Sequence, residues 1–164
     1  MPEPIVTTPD TDNADSISFE IDIAAPPSRV FTALIDPAQL MQWFNDATCP
    51  VKYWKMDAQP GGAYSYETEK TSIVINGISE FKCYGEVLEY DPPRLLVYTW
   101  IGNWHIDKQR RTVVRWDLTP TPAGTHVRVT HSGLAQEPVA RKDYSGGWVG
   151  VIQNLKTFTE KGKD

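Results

Sequence analysis

Three histidines, two cysteines and a scatter of carboxylates are the groups in this 164-residue chain that could do chemistry near neutral pH. His131, in "THSG", closes a run that places Val127, Val129 and His131 on one face. It is therefore expected to point inward, as a satisfied structural imidazole, a polar contact for a ligand, or a general acid or base. No carboxylate adjoins it in sequence to orient it, which counts against catalysis. His126 lies five positions earlier, and an odd separation in a regular strand turns two side chains to opposite faces. The pair therefore cannot share a metal ion. His105 and Asp107, in "WHID", fall in a loop with no second cluster of ligands. No metal site and no cofactor are expected. No Ser-His-Asp order, paired-carboxylate spacing or Cys-His nucleophile stands out. Cys83 sits mid-strand on an apolar face, a poor place for a thiolate. "GGWVG" lacks the strand-turn setting and the Lys-Ser/Thr pair of a phosphate loop. Asp57, Glu67, Glu80, Asp117 and Arg115 read as solvated strand residues, or as charges at the rim of a pocket.

Aromatic residues dominate what remains. "GEVLEYDPPRLLVYTW" reads as two strands joined by a Pro-Pro turn, with Leu96, Tyr98 and Trp100 sharing a face. Tyr64 and Tyr66 share a face of "AYSYETEK", and Val114, Trp116 and Leu118 share a face of "TVVRWDLTP". In "GISEFKCYGEVLEY", Phe81, Cys83 and Val87 fall on one face and Tyr84, Leu88 and Tyr90 on the other. A one-residue bulge would invert any of these assignments.

These strands need partners. "SISFEIDIAA" alternates Ile17, Phe19, Ile21 and Ile23 as a half-buried first strand. Pro26 and Pro27 suit the start of a helix carrying Val30, Phe31 and Leu34, and Asp36-Pro37 ends it and opens a second short helix reaching Trp43-Phe44. "VKYWKMDA" is a strand and "QPGG" a turn, with Gly62 expected at positive φ. The tight links "YDPPR" and "TPTPAGT" imply an antiparallel meander. The last segment is the longest helix, with Tyr144, Trp148, Val151, Ile152, Leu155 and Phe158 on one stripe. Two short helices, a run of strands and a terminal helix give an α+β architecture. Gly146 and Gly150 fall opposite the stripe and are expected to make no room inside. They read as local weakness that lets the helix move to admit a ligand, or as close contact with another backbone.

Composition sets the outer bounds. A net charge of −5 argues against nucleic acid, and no stretch approaches the ~20 apolar residues of a membrane span. The opening "MPEPIVTTPDTDNAD" has no basic or apolar signal-peptide region and reads as a disordered acidic tail over residues 1–15, ahead of one domain over residues 16–164. With no export feature, Cys49 and Cys83 are expected as reduced thiols in the cytoplasm.

Taken in order, "APPSRVFTALIDPAQLMQWF", "MDAQPGGAY", "GEVLEYDPPRLLVYTW", "THSGL" and "GGWVGVIQNLKTF" resemble the activator-of-heat-shock-ATPase-homologue-like branch of the START-like (SRPBCC, helix-grip) superfamily over residues 16–160. The resemblance implies a curved seven-stranded antiparallel sheet round the C-terminal helix, two short helices after the first strand, and a deep cavity between sheet and helix. Its members bind lipids, sterols and polyketides, close polyketide rings or assist a chaperone, a role tied to the stress response. The separate N-terminal chaperone-binding domain of the eukaryotic activators has no counterpart here, which counts against a chaperone partner. The function expected is non-enzymatic binding of a small apolar, aromatic or lipid-like molecule. Trp43, Phe44, Tyr64, Tyr66, Phe81, Tyr98, Trp100, Trp116, His131, Trp148 and Ile152 are its candidate cavity residues. A cyclase- or hydrolase-type enzyme would use the same pocket with His131, Glu67, Glu80 or Asp117. A protein-interaction role, or a homodimer, would use an outer patch of Tyr84, Leu88 and Tyr90.

Overall fold

The computed structural model of the protein describes residues 6–7, 15–45 and 48–161. Apolar alternation at Ile17, Phe19, Ile21 and Ile23 becomes strand β2 (Ile17–Ile23), with all four side chains buried. Ahead of it, β1 (Val6–Thr7) pairs with Phe19 and Glu20 and adds a short eighth strand drawn from the segment expected as a tail. The rest of residues 1–14 lies outside the described residues. Asp15 is tied in, its carboxylate accepting the N–H of Gly133 and of Ala135.

Helices α1 (Pro27–Ile35) and α2 (Pro37–Trp43) follow, with Asp36 ending one and starting the other. Its N–H reaches the Thr32 carbonyl, and its carboxylate accepts the Ala38 N–H as an N-cap. The Trp43 indole N–H donates to the Ala33 carbonyl at 2.8 Å, locking the two helices together.

The chain then meanders through β3 (Val51–Met56), β4 (Ala63–Thr68), β5 (Lys82–Asp91), β6 (Leu95–Gly102), β7 (Thr112–Thr121) and β8 (Gly124–Ser132). Every neighbouring pair is antiparallel, in the order β1-β2-β8-β7-β6-β5-β4-β3. Strands β2 to β8 are the expected seven. The first of them pairs with the last, so α1 and α2 carry the chain to the opposite edge. Helix α3 (Pro138–Lys161) is held by Tyr144, Trp148, Ile152 and Leu155, all buried, while Val151 and Phe158 flank them half-buried. At ~1.5–3 kcal/mol for each large apolar side chain, that stripe is the main cohesive contact of the helix.

Three local expectations are corrected. Gly61, not Gly62, takes the positive φ of the turn after β3 (+83°). Gly62 is needed for a different reason: a Cβ there would stand 1.9 Å from the Asp57 carbonyl oxygen. A register shift between Val87 and Glu89 breaks the parity of β5. Tyr84 and Leu88 stay exposed, but Tyr90 swings inward, its ring 5.8 Å from that of Phe31. The outer patch expected for a partner therefore loses one of its three members. Third, Gly146 and Gly150 of α3 border an open cleft.

Charges gather on the outer face. Arg115 pairs with Asp117, and His126 bonds Asp22 through Nδ1 and Glu20 through Nε2, each at 2.7 Å.

Candidate functional site

A cleft of about 350 Å³ opens between the first half of α3, the end of α2 with Phe44, the start of β3, and the segments after β4 and β6. Its walls are mostly aromatic. Phe44 stands 5.6 Å from Tyr66 and 6.4 Å from Trp100 between ring centroids, and Trp100 stands 5.5 Å from Trp148. Phe81 meets Trp104 edge-on at 5.4 Å.

Of the eleven residues expected from sequence, Trp43, Phe44, Tyr66, Phe81, Trp100 and Trp148 border this cleft. The other five lie beneath or beside it as packed core. The Tyr64 hydroxyl donates to the Thr99 carbonyl, and Trp116 donates to the Tyr98 hydroxyl. Ile152 is in the buried stripe of α3. His131 is sealed from solvent behind Trp100 and Trp148.

The bonds of His131 define its tautomer. An indole N–H can only donate, so Trp148 Nε1 at 3.1 Å makes His131 Nδ1 an acceptor. The ring proton therefore sits on Nε2 and is given to the Thr112 hydroxyl at 2.7 Å, which passes its own proton to the Trp100 carbonyl at 2.6 Å. Every donor is used. Burial, and after it the neighbouring His105, hold the imidazole neutral, with its pKa well below the ordinary value. His131 thus positions Trp148 and has no nitrogen left for a ligand or for proton transfer.

Sequence reading overlooked a second network. The Tyr144 hydroxyl accepts from Trp100 Nε1 at 3.0 Å and bonds His105 Nε2 at 2.7 Å. His105 and Trp104 lie on the loop between β6 and β7, which Glu137 clasps. The Glu137 carboxylate, fully buried, accepts from the N–H of Ile106 and of Asp107 and pairs with Arg110 at 2.7 Å. Burial pushes its pKa up, but Arg110 and those two amides outweigh it and hold it below the usual carboxylate value. Trp104 borders the cleft, and its buried indole N–H lacks an acceptor among the described residues. The one clue in sequence was an aromatic pair, "WH", inside a polar loop.

The three histidines should titrate in three distinct ways. His126, held between Asp22 and Glu20, is raised above the ordinary imidazole value, so its charge adds to stability below that value and is lost as pH rises through the folded pKa. The side chain is 37% exposed, so the contribution is small, about 0.5 kcal/mol or less. His105 is lowered by burial, with Glu137 opposing the shift and Arg110 adding to it, and His131 is lowered further still. An NMR titration of the ring protons should show His126 responding at the highest pH and His131 remaining neutral throughout the range that charges His126.

The glycines of α3 face the cleft, against expectation. Gly146, Gly147 and Gly150 all border it, and a Cβ built on any of them meets nothing within 4 Å. They lie beside the stripe, and their missing side chains are part of the open volume.

A curved antiparallel sheet with a long helix laid across it, and a cleft at the helix's open half, defines the helix-grip fold of the START-like superfamily. Residues 24–160 match the model for the "Activator of Hsp90 ATPase homolog 1-like protein" family, and the chain belongs to that family. Solved structures agree on the fold. A Rhodobacter sphaeroides protein superposes with a TM-score of 0.75 at 21% identity, over 94% of this chain and 96% of its own. An AHSA1-like protein from Aeromonas hydrophila gives 0.69 at 20% identity, over 89% and 92%. DynU16, a putative protein in the dynemicin biosynthetic locus, gives 0.69 at 19% identity, over 92% of this chain and 49% of its own. Among curated proteins no relative matches. No described helix is long and apolar enough to cross a membrane.

Proposed function

We propose that the protein binds a small, largely apolar aromatic molecule in the cleft between α3 and the sheet. One observation carries this reading: three helix positions that border the cleft are glycine, although each costs up to ~1 kcal/mol of helix stability relative to alanine and none is required by a neighbour. Positions kept small at that cost, opposite a wall of six aromatic rings, suit a flat guest. The volume is near the lower end of the roughly 300–1,000 Å³ typical of small-molecule sites. Burying ~200 Å² of apolar ligand surface would supply about 5 kcal/mol before the costs of association. His131, committed at both nitrogens, gives no support to an enzymatic reading.

Calorimetric titration with 2-naphthol tests the proposal. Wild type should bind it, and Gly150→Leu should abolish binding while leaving the unfolding free energy unchanged or raised by up to ~1 kcal/mol, since leucine is the better helix former. Equal affinity in both proteins would refute this location.

A further inference from the structure

We infer that the cleft selects a guest carrying a protonated amine, held at the mouth by Asp143; the inference rests on the cleft being a ligand site. Among the described residues that border it, Asp143 alone carries a formal charge, and neither lysine, arginine nor histidine is present. Among the described residues its carboxylate makes no hydrogen bond or ion pair. Arg141, two residues away on α3, is turned to the Ser16 carbonyl, and Arg110 is occupied by Glu137. The residue keeps one side in solvent, yet its carboxyl is partly desolvated, which raises its pKa with nothing to oppose the effect. It borders the cleft next in sequence to Tyr144, whose buried ring is part of the same lining.

The physics of such a site is one-sided. Phe44, Trp100, Trp104 and Trp148 border the cleft, and rings of this kind pack against any flat guest but add a further attraction for a cation. A carboxylate without a counter-charge adds to that attraction and repels an acid. A carboxylate-bearing amphiphile would bring a second negative charge to a cleft with no cation to receive it. The ligand class is therefore a hydrophobic aromatic amine.

Three probes sharing one skeleton separate the terms: 2-naphthylmethylamine, 2-naphthylmethanol and 2-naphthoic acid, titrated by calorimetry at neutral pH. The amine should bind about tenfold more tightly than the alcohol, with the acid weakest. In Asp143→Asn the amine should lose most of its advantage over the alcohol, keeping only the part the rings supply. If the alcohol matches the amine in wild type, or the gap survives undiminished in Asp143→Asn, the assignment of charge selectivity to Asp143 is overturned and the cleft reading stands. If none of the three binds, the cleft reading itself is overturned, and this inference with it.

Discussion

Trp148→Ala should cost about 4 kcal/mol of unfolding free energy, the largest loss expected from any single substitution in the chain. The indole is buried, stands 5.5 Å from Trp100 and 5.7 Å from Trp116, and donates to His131. Its removal opens a cavity at the centre of the grip and leaves His131 Nδ1 an orphan acceptor in an apolar setting. Domains of this size commonly hold only about 5–15 kcal/mol in reserve, so the variant should be marginal. Trp148→Phe separates the two contributions. It keeps most of the ring and loses the N–H, so it should cost about 1–2 kcal/mol and release the tautomer of His131. Urea denaturation gives the energies, and nitrogen chemical shifts of the His131 ring report the tautomer. A His131 ring still protonated only on Nε2 in Trp148→Phe would mean that the indole does not set it.

Glu137→Ala should cost about 3 kcal/mol, because it strands two backbone donors and the Arg110 guanidinium that the carboxylate now satisfies. Arg110 is itself 26% exposed and recovers some hydration, which keeps the figure at the lower end for a broken buried pair. The pH dependence follows from the lowered folded pKa. Above the unfolded value, about 4.5, the contribution is complete, and it disappears as pH falls through the lower folded value. Wild type should therefore lose stability over that acidic window, with a shallower slope in Glu137→Ala. Because the loop carries His105 and Trp104, the variant should also bind 2-naphthol more weakly. An unchanged acid slope would show that other carboxylates govern it.

The architecture was legible in the sequence because strand periodicity is a local property. The inward faces of Tyr64 and Tyr66, of Leu96, Tyr98 and Trp100, and of Val127, Val129 and His131 all stand as their alternation implies. Tyr90 escaped because a bulge is set by tertiary fit, which composition does not announce. The site was less legible. Aromatic residues on one face are equally consistent with a wall and with a core, and only the placement of α3 divides Trp100 from Trp116. The glycines were misplaced because helical periodicity gives their angle to the stripe but not how far the sheet extends beneath it. The loop that carries Trp104 and His105 meets Glu137 and Tyr144 through contacts 27 to 39 residues apart, with no spacing that betrays them.

Four of the six tryptophans, Trp43, Trp100, Trp104 and Trp148, border the cleft. A guest in the cleft would lie against these indoles, so the ultraviolet emission of the chain should change in colour or intensity when one binds. The molecule carries its own optical indicator, and unlabelled compounds can be screened by watching that glow.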